Sequence, residues 1–489
     1  SNIIYALCRL KGVTAFCLAS DEKEAQTLCN DLSCMGLRAY VYPVRDFNFL
    51  DFQSRSHEYE HARLKVLLKL LNHECDVAIA CVDAAAQLTV PRNVLEQSVI
   101  EFEEGRELSL EKATKALTLL GYERFDAVEG SGQFSLRGGI LDFFMPDSDY
   151  PVRCEFWGDE ITDLSYFDIE TQRRFKKADK ITLSPSTEIV IEDRAALADK
   201  IEHKAKLLRS KNSAKAKEKL FSEAELIRSG AMIANADKFI NQIYDKPESL
   251  FDYLDRNTLV FASEFTAIQE RGKSMDFISN ETLMQGFEDG TLCRGFDRFA
   301  LTFNECTEFL QSHGTIVLEN FVHGSMPIKL SEIISFSTKQ LSAWGGSYKQ
   351  LKEDVDGLFT PESKGVIFAG TERAAKNLCD TFNADGINAV YSEGADKISK
   401  GELLVMQGAL SAGFEYPSQK FFAITYSQVS YRPEKSKKKK KKTGQEIYSL
   451  SELAPGDYVV HNVHGIGVFG GIRKIDTHGC LLYTSDAAD

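Results

Sequence analysis

Short apolar runs bounded by turn formers alternate with longer stretches in which apolar residues recur every three or four positions. Val13 to Leu18 is a largely apolar run, Ser20-Asp21 then offers caps, and Ala25, Leu28 and Leu32 follow at helical spacing until Gly36 stops the helix. Ala39 to Tyr42 reads as the next strand, Glu58 to Leu71 as a long helix, and Val77 to Cys81 as another buried strand. Strand and helix alternating in this way predict a parallel α/β layer. Leu108 to Leu119 predicts a short amphipathic helix, after which strand signals take over. Gly138-Gly139 opens a strand from Ile140 to Phe144, Val152 to Trp157 follows a break at Pro146 to Pro151, and Gly158-Asp159 makes a tight reversal into Ile161 to Phe167. The result is a compact sheet with Arg137 just before one strand and Arg153 within another.

Farther along, Arg194 to Leu208 mixes apolar and charged residues as a helix does, and Lys204 to Lys219 is basic, which reads first as a solvated face and second as a DNA contact. Thr258 to Ala262 is a strand ending in Ser263-Glu264. A second α/β unit follows. Its strands are Val366 to Ala369, Ile387 to Tyr391, Leu403 to Met406 and Phe421 to Tyr426, and its helix starts at Gly370-Thr371-Glu372, bears Ala375, Leu378 and Phe382, and ends at Gly386. This predicts a small doubly wound domain of about 100 residues. Tyr431 to Gln445, with six consecutive lysines from Lys437 to Lys442, cannot bury a core and reads as an extended linker that could also touch DNA phosphates. Beyond it, Pro455-Gly456-Asp457 is a turn, Tyr458 to Asn462 a strand, and Gly465 to Gly467 a reversal into a second strand, the opening of a small β-barrel. The residues after Thr477 are too few to finish that barrel.

Composition narrows the picture. A chain of 489 residues holds about three or four domains of ordinary size. The net charge of -14 excludes a uniformly nucleic-acid-coating surface, so DNA contact would need local basic patches. Eleven cysteines with no C-x-x-C pair read as buried free thiols in a reducing cytoplasm. No apolar run approaches a membrane span, and Ser1-Asn2 carries neither a signal peptide nor an initiator methionine, as expected of a fragment.

The candidate chemistry is mostly negative. No G-x-x-x-x-G-K-[ST] string occurs; Gly272-Lys273-Ser274 comes nearest, but Ala267 stands where the first glycine is required, so a polar helix or loop is expected there. Where an ATP-hydrolysing relative would place an acidic pair, this chain has Ser263-Glu264, and Asp159-Glu160 sits on a hairpin instead. Gly465-x-Gly467-x-x-Gly470 matches the dinucleotide fingerprint in form alone, since β-favouring sequence follows where a helix should open. His461 and His464 lack a third metal ligand. No catalytic residue and no metal site is therefore assigned.

Certain words carry a resemblance. Gly121-Tyr122, Val128-Glu129, Gly132-x-Phe134-x-x-Arg137-Gly138-Gly139-Ile140-Leu141-Asp142-Phe143-Phe144, Phe156-x-Gly158-Asp159-Glu160-Ile161 and Phe167-Asp168 with Thr171-Gln172-Arg173 resemble the second domain shared by UvrB and the bacterial transcription-repair-coupling factors. Leu453, Pro455, Gly456, Asp457, Val459, Val460, His461, His464, Gly465, Ile466 and Gly467 resemble the opening of the CarD-like RNA-polymerase-interacting domain. The order of the parts favours the coupling factors over UvrB, whose phosphate loop and helicase motifs have no counterpart here.

The resemblance implies a multidomain α/β chain: a degenerate P-loop-NTPase-like α/β domain (1–96 and 184–330) with an inserted small α+β sheet domain (97–183), a small α/β domain (331–430), a basic linker (431–449) and an incomplete CarD-like β-barrel (450–489). It implies recruitment of UvrA through Arg137, Arg153 and Trp157, with intradomain pairing of the arginines to Asp142 or Glu155 as the plainer alternative. It also implies docking on the RNA polymerase β subunit through Ile475, Ile472 and Phe469. ATP, Mg²⁺ and double-stranded DNA would belong to the motor of the full-length family, leaving this chain without a cofactor and without enzymatic activity. The rival readings are a UvrB-like DNA-repair helicase that has lost its phosphate loop and, on the glycine match alone, a dinucleotide-dependent oxidoreductase.

Overall fold

The computed structural model describes residues 1–45, 57–98, 100–208, 214–230, 236–321, 326–341, 348–394, 398–426, 458–461, 465–477 and 480–487, the last three as backbone. Two compact units are present, Ser1–Tyr431 and Arg432–Asp489. The lysine linker, the Pro455-Gly456-Asp457 turn and His464 lie outside the described residues.

The first layer is a five-stranded parallel sheet in the order Ile316–Leu318, Leu259–Ser263, Ala15–Ala19, Val77–Cys81, Ala39–Tyr42. All five residues of Ala15–Ala19 are buried. Phe16 and Leu18 enter one core with Leu64, Phe265 and Phe303, while Ala15, Cys17 and Ala19 enter another with Leu28, Leu32 and Phe261. A strand covered on both faces has no polar side, which is why the run is apolar without alternation. Helix Glu22–Cys34 starts where expected because the Asp21 carboxylate accepts the Glu24 N–H at 2.7 Å. Helix Asn2–Lys11, closed by Gly12 at φ 63°, was not anticipated from the sequence.

Between the first-layer strands Val77–Cys81 and Leu259–Ser263 the chain inserts a six-stranded sheet. Its order is Arg174–Lys177, Glu160–Phe167, Val152–Trp157, Ile140–Phe143, Gln133–Arg137, Glu123–Arg124, antiparallel except for the last pair. Leu136, Leu141, Cys154 and Leu164 form one cross-strand row, and Leu141, Cys154 and Leu164 pack in a core with Phe102 and Leu117 of the preceding strand and helix. The adjacent rows face away from that core, as the two-residue period of a strand requires.

A third sheet runs Lys339–Leu341, Gly413–Tyr416, Phe421–Thr425, Lys364–Phe368, Glu402–Met406, Ala389–Tyr391, with its first two joints antiparallel and the rest parallel. The expectation of a doubly wound domain is corrected here. Leu351 and Val355 of helix Tyr348–Leu358 join Ala375, Leu378 and Phe382 of helix Glu372–Ala384 in one core on a single face. The opposite face, with Val366, Phe368, Leu404 and Met406, packs against Cys34 and Met35 of the first layer. Helical periodicity shows that a helix has a buried face but not which side of the sheet receives it.

In the second unit, Tyr458–His461, Gly465–Thr477 and Cys480–Ala487 form an antiparallel three-stranded sheet. Gly465 to Gly467, read as a reversal, lie inside the central strand instead, paired with Val459, Val460 and His461. The residues after Thr477 supply a third strand.

Candidate protein-binding face of the inserted sheet

Two neighbouring turns project from one end of the inserted sheet. Gly138-Gly139 joins the strands Gln133–Arg137 and Ile140–Phe143, and Gly158-Asp159 joins Val152–Trp157 to Glu160–Phe167. Register places them side by side, since Ile140 pairs with Glu155 and the Phe156 N–H donates to the Gly139 carbonyl at 2.8 Å. A Cβ on Gly139 would lie 2.7 Å from the Phe156 carbonyl oxygen, so this close approach needs glycine. Gly158 has φ 63°, the left-handed geometry of a tight hairpin. The second turn is held from its far side by the Leu108 N–H, which donates to the Asp159 carbonyl at 2.7 Å.

Trp157 stands on this clamped hairpin with 82% of its surface exposed. It begins a short polar face. Ser135, Asp142, Arg153 and Ser165 form one cross-strand row, and Arg137, Ile140, Glu155 and Asp163 the next. Asp142 is 1% exposed and is the hub. It accepts from Arg153 Nε at 2.7 Å and Nη2 at 2.8 Å, and from Arg137 Nη2 at 2.9 Å. The Arg153 guanidinium also stacks on the Phe167 ring, 4.4 Å from its centroid, and donates to the Gln172 carbonyl at 3.1 Å. Hydrogen bonding to Asp142 raises the Arg153 pKa above its ordinary value, against the opposing effect of burial.

The three residues named from the sequence are thus brought to one region in three different conditions. Trp157 is free to meet a partner, Arg137 has a side chain 52% exposed, and Arg153 is only 14% exposed. The arginines pair with Asp142, while Glu155 pairs with Arg174, whose other nitrogen reaches Asp163 at 3.0 Å. Phe167 and Gln172 were not read as part of this network. The available signal was an aspartate inside an apolar strand, which demands a partner.

The first layer has turned its charges inward. At the end of strand Ala15–Ala19 the Glu24 carboxylate accepts from the Ser20 N–H at 2.8 Å, Ser20 Oγ at 2.7 Å and Ser263 Oγ at 2.7 Å. Gly272-Lys273-Ser274 lies within helix Phe265–Asp289, as its polar reading allowed. Deeper, Arg63 is fully buried and bonds Glu188 at 2.6 Å, and Arg45 pairs with Glu188 at 3.2 Å and with Asp237. Burial alone would raise the Glu60 carboxyl, but the His57 hydrogen bond, the Arg45 charge and the Glu188 N–H hold it well below the usual carboxylate range. Sequence reasoning missed this cluster, whose members are far apart in the chain.

Among the described residues no group of three or more His, Cys, Asp or Glu could hold a metal ion, no disulfide forms, and no helix is long and apolar enough to cross a membrane. Burial pushes the Cys17 and Cys154 thiols up to about 12. In the second unit, Phe469, Ile472 and Ile475 all lie on the central strand, where they pair with Ala487, Ser485 and Leu482. Tyr458–His461 pairs only with residues 465–468, so the other edge of 469–477 meets no described strand.

Comparison with known proteins first finds two domain families that parts of the chain resemble. Residues 100–189 match the family described as UvrB interaction domain, and residues 453–483 match the CarD-like/TRCF RID domain. The particular relatives agree with that pairing. The chain is 28% identical over 489 residues to the transcription-repair-coupling factor of Bacillus subtilis, covering 97% of this chain and 41% of that protein. It is 26% identical over 465 residues to that of Staphylococcus epidermidis and 23% over 449 residues to that of Staphylococcus aureus, covering 38% of each of those proteins. The resemblance to the transcription-repair-coupling factors read from the sequence is borne out, and the chain spans about two-fifths of the length of these relatives.

Proposed function

We propose that this chain is a binding module of a transcription-repair-coupling factor, which recruits UvrA through the inserted sheet and docks on the RNA polymerase β subunit through the second unit. The observation that carries the first part is Trp157, 82% exposed on a rigid hairpin beside Arg137. An exposed aromatic on a clamped backbone loses little freedom on binding and can fill a pocket, and a neighbouring guanidinium can fork onto a carboxylate. Arg153 acts as a positioning residue, since it holds Asp142 and through it Arg137. For the polymerase, the edge of 469–477 left without a described partner suits strand addition, with Phe469, Ile472 and Ile475 supplying selectivity.

On this reading the first layer is a degenerate P-loop-like scaffold, the second unit is part of a CarD-like barrel, and the chain binds no nucleotide. What supports this is that no G-x-x-x-x-G-K-[ST] string occurs in the sequence. ATP and Mg²⁺ act in the motor that the resemblance assigns to the family as a whole. Titration of UvrA against the chain tests the proposal. Trp157→Ala and Arg137→Ala should each weaken binding more than tenfold, about 1.4 kcal/mol. Equal binding by wild type and both variants would remove the interface assignment. ATP hydrolysis above background with single-stranded DNA would favour the helicase alternative.

A further inference from the structure

Helices Arg194–Leu207 and Ala214–Arg228 pack as an antiparallel hairpin whose two ends differ in charge. Its inward residues are Leu197, Ile201, Ala205, Ala216, Leu220 and Ala224. At the base, cations are matched: Arg228 meets Asp199 at 2.8 Å and Glu202 at 2.7 Å, Lys200 meets Asp245 at 3.4 Å, and buried Lys238 meets Glu223. At the opposite end, Lys204 and Lys206 flank buried Ala205, and Lys215 and Lys217 flank buried Ala216.

The fold sorts these four lysines into two pairs. Lys204 lies over the Phe296 ring at 5.3 Å and donates to the Gly295 carbonyl at 3.3 Å, while Lys215 packs against Gly290, so both border the same 290–296 loop. Antiparallel packing then carries Lys206 and Lys217 to the other side. The acids nearby are Glu202, 3.8 Å from Lys206, Glu218 beside Lys217, Glu288 and Asp289 next to Gly290, and Asp297. The Glu202 carboxylate is already engaged by Arg228. In sequence, residues 204–219 hold six lysines and one arginine against Glu218 alone, a local excess of positive charge on a chain of net charge -14.

We infer that this end of the hairpin is a sequence-independent contact for the phosphate backbone of duplex DNA. Lysine is a hydrated point charge on a flexible stem, suited to phosphates and poor at the bidentate recognition that protein carboxylates favour. Among the described residues, the four lysines have exposed Leu207 and Arg294 near them but no exposed aromatic of the kind that concentrates affinity at protein interfaces. The contact is separate from the proposed UvrA face and needs neither UvrA nor the polymerase.

The test measures binding of a fluorescent random-sequence 30-base-pair duplex to the full chain across a salt series, without other proteins. Each phosphate contact contributes about 0.9 to the slope of log affinity against log salt. Lys206→Glu with Lys215→Glu and Lys217→Glu should reduce that slope by about 2 to 3 and weaken binding at low salt at least tenfold. The milder Lys206→Gln, Lys215→Gln, Lys217→Gln chain should show the same slope change if the glutamates unsettle the fold, and circular dichroism melting identifies that case. Replacing Lys437 to Lys442 by glutamine should leave the hairpin's share intact. The inference is overturned if the wild-type chain does not bind the duplex, if neither triple variant changes the slope, if the linker variant alone abolishes binding, or if polyglutamate competes as well as DNA.

Discussion

The first α/β layer and the inserted sheet treat charge in opposite ways. The layer closes Arg45, Arg63, Glu60, Glu188 and Asp237 into a buried cluster, and Glu24 accepts the hydrogen bonds at the end of its central strand. The inserted sheet buries one carboxylate, Asp142, and uses it to hold an arginine whose far side faces solvent beside an exposed tryptophan. Inward satisfaction makes a scaffold. A buried anchor with outward donors makes a surface that can exchange water for a partner.

Substitutions should separate the two regimes. The largest effect is expected for Arg63→Met, which leaves Glu188 buried without its closest cation and should cost about 3–5 kcal/mol in urea unfolding. A loss below about 1 kcal/mol would mean that the cluster is not the layer's keystone. Arg153→Ala should cost less, about 2 kcal/mol, because Asp142 retains Arg137, and the folded variant should still bind UvrA more weakly than wild type, since Asp142 is no longer fixed from its other side.

Acid should act next, on the scaffold. His61 has its pKa lowered by burial, with the Glu60 charge opposing, and Glu60 is itself depressed. A group with a folded pKa below its unfolded value lends stability that is complete above the unfolded value and is lost as pH falls. The urea midpoint should therefore hold from pH 8 to 7, decline below about 6.5 as His61 of the unfolded chain takes up a proton, and fall again below about 4.5 from Glu60. His61→Gln should remove the first decline. The smallest stability effect is expected for Trp157→Ala, within about 0.5 kcal/mol of wild type despite its large effect on binding.

How far the fold could be read beforehand follows from the range of the interactions. Val152–Trp157, Val77–Cys81, Ala39–Tyr42 and helix Glu58–Leu71 have the expected bounds, because a buried run between turn formers is a local signal. The single-faced small sheet was misread because which side a helix covers is decided by its neighbours, here Cys34 and Met35. Gly465 to Gly467 suggested a turn, yet glycine in a strand is equally compatible with close strand pairing. At the candidate site the Gly158-Asp159 turn was legible, Trp157 entered through the resemblance, and Asp142 was one of two partners considered for the arginines, but strand Gln133–Arg137, which makes Gly138-Gly139 a turn, was not read. That Asp142 serves both of them was not, nor was the bond from Arg63 to Glu188, 125 residues away.

Amide hydrogen exchange of the full chain with and without UvrA tests the central claim most directly. Protection should concentrate at Arg137–Ile140 and Phe156–Ile161, the two adjoining turns, while the Arg63 and Glu188 region of the first layer stays unchanged. Protection confined to the first layer, with both turns exchanging as in the free chain, would contradict it.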